Sequence, residues 1–309
     1  MIARFAADLA ALRPGCTPLG LAVSGGPDSL ALLLLAHGAL PGAIEAATVD
    51  HGLRAESAGE AAFVAGVCAA LGVPHRVLVV KVAAGNLQAE ARAARYAALE
   101  DWAATRKLVA IATAHHADDQ AETLLLRLGR ASGVAGLAGV RAAGTTRQGG
   151  LAVLRPLLGW RSEQLGAIVA EAGITPVQDP SNSDDRFDRA RIRKMIAGAD
   201  WVDVPALAAS AAHLADADVA LDWAAAREWT EQVQRSAMGL TYRPQAPRAV
   251  ALRVLARIVT ELDGEAPRGS AVARLFDALV ARQPMSIGSL VVRTLPEGWS
   301  FMKAPKRRN

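Results

Sequence analysis

Six consecutive residues, Ser24-Gly25-Gly26-Pro27-Asp28-Ser29, place two glycines, two hydroxyls and a carboxylate between apolar runs at 19–23 and 30–35. That arrangement reads as strand, tight turn, helix. Glycine lets a backbone approach a ligand closely, because no Cβ intervenes. Amides at a helix start are unpaired and attract anions, and the serine hydroxyls add donors. The turn therefore suits a pyrophosphate group. It is not the Walker loop, which needs lysine where Asp28 stands, and it lacks the spaced glycines of the dinucleotide fingerprint. The plain alternative is a glycine-rich strand-to-helix turn.

A second constellation is His115-His116-Ala117-Asp118-Asp119-Gln120-Ala121-Glu122. Asp119 and Glu122 stand three apart and share one helix face, and His116 and Asp119 could converge on one ligand. Metal binding, recognition of a cation and acid–base work are all open. The bland alternative is helix capping and dipole complementarity, which is the better reading for Asp118 alone. A zinc site is not expected, because no cysteine is near and the spacing is not HExxH. Asp50-His51-Gly52 could touch a nucleoside or simply form a strand-terminal turn. Arg92, Arg95 and Tyr96 could face phosphates or form a solvated, ion-paired surface. The run 179–193 is acidic first and basic after, with arginines at 186, 189, 191 and 193. It could clamp phosphate or fold on itself as a charged connector.

These residues need a scaffold that brings them to one edge. The first half alternates strand-like and helix-like stretches. Strands are expected at 19–24, 44–50, 76–80 and 108–114; helices at 28–37, 56–71, 86–107 (with Asn86 as N-cap) and 118–128. Alternation of this kind implies a doubly wound α/β fold, a parallel sheet covered on both faces. Ligands bind such sheets at the carboxyl ends of strands, where the polar runs fall. Residues 133–150 read as a loop, 160–172 as a helix and 178–186 as a polar connector. Beyond 196 the composition changes, with helices at 203–234, 247–262 and 271–282, the last capped by Ser270, and a closing hairpin at 289–303. The expected domains are 1–197, a catalytic unit that carries the polar runs, and 198–309, a smaller, mostly helical unit.

The 309 residues, 52% hydrophobic, allow two domains. The two cysteines, Cys16 and Cys68, form no metal or redox spacing. The start of the chain reads as a short amphipathic helix rather than a signal peptide, and no stretch reads as a membrane span, so the cytoplasm is the expected location. Net charge is +4. Between 123 and 162 stand Arg127, Arg130, Arg141, Arg147, Arg155 and Arg161 with no Asp or Glu. A second basic cluster is Arg186, Arg189, Arg191, Arg193 and Lys194; a third is Lys303, Lys306, Arg307 and Arg308. The first two suggest a polyanion partner such as nucleic acid; the tail is better read as a solubilising patch.

The SGGPDS loop resembles the phosphate loop of the PP-loop ATP pyrophosphatases. Taken with VDHGLR, NLQAEARAARY, AHHADDQAET, RPLL and DPSNSDDRFDRARIR in that order, residues 19–195 resemble the tRNA(Ile)-lysidine synthase family. The resemblance implies that ATP adenylates the C2 oxygen of cytidine 34 in the CAU anticodon of an isoleucine tRNA. The ε-amine of free L-lysine then displaces AMP. It implies that Ser24, Gly25, Gly26, Pro27, Asp28 and Ser29 hold ATP, with Mg²⁺ near Asp28 and Asp119. His116, Asp119 and Glu122 would serve the lysine ammonium and the metal, and Arg191 and Arg193 the adenylated intermediate. Two departures stand out: Ala190 occupies a position where the family usually has Asn, and Ala114 replaces a glycine. A tRNA thiolase normally needs reactive cysteines, and an amidotransferase-type synthetase needs a glutaminase; neither feature is present. A nucleotide-binding tRNA chaperone would be expected to lack the acidic residues found here.

Overall fold

The structure is a computed structural model. It describes all residues except 14, 16, 53–56, 82–86, 147–149, 178–187, 237–238, 284 and 305–309. Cys16, Arg54, the Asn86 cap, Arg147, Arg186, the connector 178–186 and the tail residues Lys306, Arg307 and Arg308 lie outside the described residues.

The chain divides into two compact units, Met1–Ala215 and Asp216–Asn309. The first is built on strands β1 (Leu19–Ala22), β2 (Ile44–Asp50), β3 (His75–Val79), β4 (Ala110–Ala112), β5 (Ala143–Thr145) and β6 (Ala152–Leu154). Their order is β3-β2-β1-β4-β6-β5. Each neighbouring pair is parallel except β5 with β6. Helices connect them: α1 (Ile2–Leu12), α2 (Pro27–Ala39), α3 (Ser57–Ala70), α4 (Leu87–Arg106), α5 (Ala117–Leu128), α6 (Val134–Leu137), α7 (Ser162–Glu171) and α8 (Asp188–Ala197).

Side-chain alternation along the central strands sorts the two covering layers. Leu19 and Leu21 of β1, with Ala110 and Ala112 of β4, pack with Phe5, Leu32, Val64 and Leu165 from α1, α2, α3 and α7. Ile111 faces the other way, toward Leu99, Trp102 and Ala103 of α4. Gly20 lies on that second face, where a Cβ would come within 2.8 Å of the Trp102 ring. The doubly wound sheet is thus as expected. The region 133–150 is more ordered than the loop expected there: it contains α6 and β5, and β6 follows it. These pieces are short, and their pattern is too brief for a periodicity reading.

β1 pairs with β2 on one side and β4 on the other, so the strand order reverses between β1 and β4. Chain connections leave that point in opposite directions and open a crevice beyond the strand ends, where ligands of such sheets lie. The SGGPDS loop follows β1 and the His115–Glu122 run follows β4.

Helix α9 (Val204–Gln232) runs through the division between the units. Val204, Leu207 and Ala208 pack with Ala117 and Ala121 of α5, while Ala225 and Trp229 pack into the core of the second unit. A boundary read from composition falls at 197/198, where the sequence changes character. The contacts instead divide the chain after the first turns of α9, because those turns belong to the α5 core. By length and composition α9 is also the one helix among the described residues that could cross a membrane. It carries Asp216, Asp218 and Asp222, and Asp218 and Asp222 both pair with Arg253.

In the second unit, α10 (Arg248–Asp263) and α11 (Gly269–Val280) pack on a five-stranded antiparallel sheet. Its strands are β7 (Val233–Ser236), β8 (Gly239–Tyr242), β9 (Met285–Ile287), β10 (Leu290–Leu295) and β11 (Gly298–Lys303), in the order β7-β8-β11-β10-β9. The expected hairpin is β10–β11, at the middle of this sheet; the other three strands, of three or four residues each, were not anticipated. Ser270 does not cap α11: the helix begins at Gly269, with Arg268 in the cap position.

Candidate functional site

The loop after β1 is shaped by its own residues. Gly25 has φ +89, and a Cβ there would meet Val64 and Val177 at 3.2 Å, so both backbone conformation and space require glycine. Its carbonyl accepts from Val177 N at 2.9 Å. Ser29 is buried. Its Oγ accepts from the amides of Ser24 and Gly25, each at 3.1 Å, and donates to the Gly26 carbonyl at 3.0 Å. The Ser24 hydroxyl lies 3.2 Å from the same oxygen. The Ser29 hydroxyl thus spends its single proton inside the loop and holds its curve. Pro27 opens α2, where its missing N–H costs nothing. The next amides, those of Asp28 and Ser29, are donors that a helix start leaves over.

At the end of β4 three carboxylates, Asp118 and Asp119 of the same run and Asp28 from the loop after β1, converge on one imidazole. His116 is buried, 3% exposed. Its Nε2 lies 3.4 Å from Asp28 Oδ2 and 3.6 Å from Asp119 Oδ2, and its Nδ1 lies 3.5 Å from Asp118 Oδ2. Burial alone would depress its pKa, but the close carboxylates of Asp118, Asp28 and Asp119 outweigh burial and raise it to about 10. The ring is therefore a cation at neutral pH. Asp119 Oδ2 also accepts from the His116 amide at 3.1 Å, so the capping role and the convergence on His116 coexist.

Asp118, read as a plain cap from sequence, is more than that. It accepts from Ser162 N at 2.8 Å and from Arg161 Nε at 3.2 Å. Burial opposes its ionisation, yet His116, the Ser162 amide and Arg161 hold its carboxyl well below the usual range. It ties the start of α5 to the start of α7 and sets its charge beside His116. No local signal announced this, because Arg161 and Ser162 lie 43 and 44 residues away in sequence.

Glu122 is 1% exposed. Its Oε1 accepts from Arg193 Nε of α8 at 2.7 Å, while its Oε2 is sealed from solvent with no hydrogen-bond partner. Asp28 Oδ1 is likewise sealed and unpaired. Arg193 is held protonated, against burial, by Glu122 and by the nearby charges of Asp119 and Asp28. Arg191 is not brought to this cluster. It pairs with Asp188 on the exposed side of α8, where Asp188 also binds Arg130 at 2.6 Å. Two residues along a helix is more than half a turn, so Arg191 and Arg193 face apart. Arg189, four before Arg193, shares its face, and its charge reaches His115.

His115 meets the opposite environment. Its Nδ1 lies 2.9 Å from Thr113 Oγ1. Burial, joined by Arg155, Arg92 and Arg189 and opposed by Asp119, pushes its pKa down to about 4. Beyond β2, Gly52 has φ +60 and its amide donates to Asp50 Oδ1 at 2.8 Å. Asp50 therefore closes a turn, while His51 Nε2 lies 3.4 Å from Arg95.

The sealed acceptors of Asp28 and Glu122 suit a cation. No three His, Cys, Asp or Glu side chains among the described residues form a metal-ligand group. Mg²⁺ commonly takes one or two carboxylates and completes its shell with phosphate oxygens and water, so Asp28 with one neighbouring carboxylate is a donor set that fits it.

A parallel sheet that reverses order at β1/β4, with a glycine-rich anion loop at that point, defines the class of ATP-using PP-loop enzymes. A PP-loop domain family matches residues 3–199. A tRNA(Ile)-lysidine synthase of Novosphingobium aromaticivorans is 48% identical over 310 residues, covering 99% of this chain and 94% of the relative. One from Zymomonas mobilis is 40% identical over 297 residues, covering 94% and 89%. The chain belongs to the tRNA(Ile)-lysidine synthase family. Among solved structures, a U34-tRNA thiolase of Methanococcus maripaludis with its [4Fe-4S] cluster aligns with TM-score 0.58 at 13% identity, over 71% of this chain and 78% of that one. That likeness is one of fold. Cys68 is buried and its thiol is pushed up to about 11 by burial, which makes it inert.

Proposed function

We propose that the chain is an ATP-dependent ligase that joins lysine to C2 of cytidine 34 in the CAU anticodon of isoleucine tRNA. The observation that carries this reading is the meeting of the PP loop's Asp28 with Asp119 on one buried imidazole, beside a Glu122 that keeps an unpaired buried oxygen. An ATP loop and a cation-seeking carboxylate stand at one strand edge, as a reaction joining ATP chemistry to an ammonium substrate requires.

In the first step the C2 oxygen attacks the α-phosphorus, the new O–P bond forms and pyrophosphate leaves. Ser24 to Ser29 hold the phosphates through the loop and the first amides of α2, and neutralising charge there favours attack by a weak oxygen nucleophile. Mg²⁺, when bound, supplies further neutralisation of phosphate charge; Asp28, with Asp119, would hold it. In the second step the lysine ε-amine attacks C2, the C–N bond forms, the C2–O bond breaks and AMP departs. Only the free amine can attack, so the ammonium must first give up a proton. Glu122 and Asp119 stand at the site for that task, with Glu122 Oε2 the acceptor that no protein donor occupies. Arg193 donates to Glu122 Oε1 at 2.7 Å and so fixes where the free Oε2 stands.

The test is one incubation of purified protein with ATP, Mg²⁺, isotopically labelled lysine and an isoleucine tRNA transcript bearing CAU, followed by digestion and mass analysis. Label at position 34 that requires ATP is the expected result. Pyrophosphate release without label would move the chain to another nucleophile or acceptor. Neither product from a folded preparation would favour a binding protein.

A further inference from the structure

The carboxyl ends of β4 and β6 carry a second polar corner that the reading above does not use. Ala112 and Leu154 are partners across the two strands, and Thr113 N donates to Leu154 O at 3.0 Å. Thr113 and Arg155 are therefore the next residues beyond the paired ends, side by side. Arg155 is 9% exposed. Its Nη1 donates to the Arg141 carbonyl at 2.7 Å, and its Nε is sealed with no acceptor. No carboxylate among the described residues pairs with it.

A buried guanidinium without a counter-ion is costly, and buried charges are ordinarily paired. Here the surroundings add to the cost. His115 presents a neutral ring fastened to Thr113, and the charges acting on that ring include Arg92 and Arg189 besides Arg155. The charges of Arg92 of α4 and Arg189 of α8 therefore add to that of Arg155 at this corner. What would relieve them is an anion, and the planar fork of a guanidinium matches a phosphate oxygen pair.

We propose that Arg155 anchors a phosphate-binding subsite at the carboxyl ends of β4 and β6, separate from the loop after β1. The inference rests on the reading of the chain as an enzyme of ATP and RNA. The phosphate is either a backbone phosphate of the RNA beside the modified nucleotide or a phosphate of ATP. The main chain contributes as well: Arg155 N donates to Ala142 O at 2.9 Å, so the antiparallel edge strand β5 fixes where the guanidinium starts.

The experiment compares wild type with Arg155→Gln in equilibrium binding of ATP and of the tRNA transcript, the latter across a salt series. Loss of one RNA phosphate contact lowers the log–log salt slope by about one, with ATP affinity unchanged. Loss of a nucleotide contact weakens ATP roughly tenfold, with the RNA slope unchanged. Either result supports the subsite and names its occupant. Both affinities and the slope unchanged in a variant with wild-type melting would overturn it. Should Arg155→Gln not fold, the Nε–H resonance of Arg155 is followed in wild-type protein. Its displacement by ATP or by tRNA supports the subsite, and its indifference to both bound ligands overturns it. Wild-type protein that binds neither ligand would sink the wider reading and this one together.

Discussion

Two histidines one peptide bond apart occupy opposite electrostatic worlds. His116 points among Asp28, Asp118 and Asp119 and is held as a cation, raised to about 10. His115, lowered to about 4 by burial with the charges of Arg155, Arg92 and Arg189 adding to it, is held neutral. Both are buried enough for desolvation to favour the neutral form; the neighbours decide. The contrast divides the cleft into an acidic side suited to an ammonium and a metal, and a basic side suited to phosphate. A ligase that joins lysine to RNA needs both.

The sharpest way to break the acidic side is Asp119→Asn. It keeps the size of the side chain and much of its capping ability, so the fold should hold while product formation falls by about 10²–10⁴-fold. Near-normal turnover in a correctly folded variant would remove Asp119 from the chemistry. Next is Arg193→Ala, which leaves the buried Glu122 without its donor. Breaking a fully buried pair costs about 3–5 kcal/mol. Arg193 is 48% exposed, so water screens part of that, and about 1–3 kcal/mol is expected from urea unfolding. Gly25→Ala forces a left-handed backbone on alanine, at about 1–2 kcal/mol, and crowds Val64 and Val177. ATP affinity should fall with it; unchanged affinity would show that the loop adapts.

The two histidines give a test by pH. A raised folded pKa means that the stability His116 contributes is full below about 6.5 and is lost as pH rises toward about 10. For His115 the sign reverses: its lowered pKa costs stability as pH falls from about 6.5 toward about 4. Unfolding midpoints measured from pH 4 to 10 should therefore flatten on the alkaline side in His116→Gln and on the acid side in His115→Gln. The same change in both variants would erase the contrast. The smallest effect belongs to Arg191→Ala. Its partner Asp188 is exposed, so stability should move by about 0.5 kcal/mol or less, and turnover far less than in Arg193→Ala. A large loss of turnover would return Arg191 to the site.

Much of the catalytic edge was legible because its residues are contiguous. SGGPDS and the His115–Glu122 run each carry their chemistry within a few residues, and the strand and helix patterns around them are strong. What stayed hidden depends on chain brought from afar. Asp118 looked like a cap until Arg161 and Ser162 closed on it. Arg191 and Arg193 looked equivalent until α8 turned them apart. In the second unit the three- and four-residue strands that join the β10–β11 hairpin have too little pattern to read. Their pairing across the sheet defines them.

The Ser29 hydroxyl ties down the Ser24 and Gly25 amides and the Gly26 carbonyl from within the loop itself. The phosphate cradle is thus a rigid mould and not a flap that wraps its guest. Its ordering entropy is settled during folding, so nucleotide association need not lose it again. Selectivity then lies in the fit of a fixed shape, and a ligand of the wrong geometry meets a wall that does not yield.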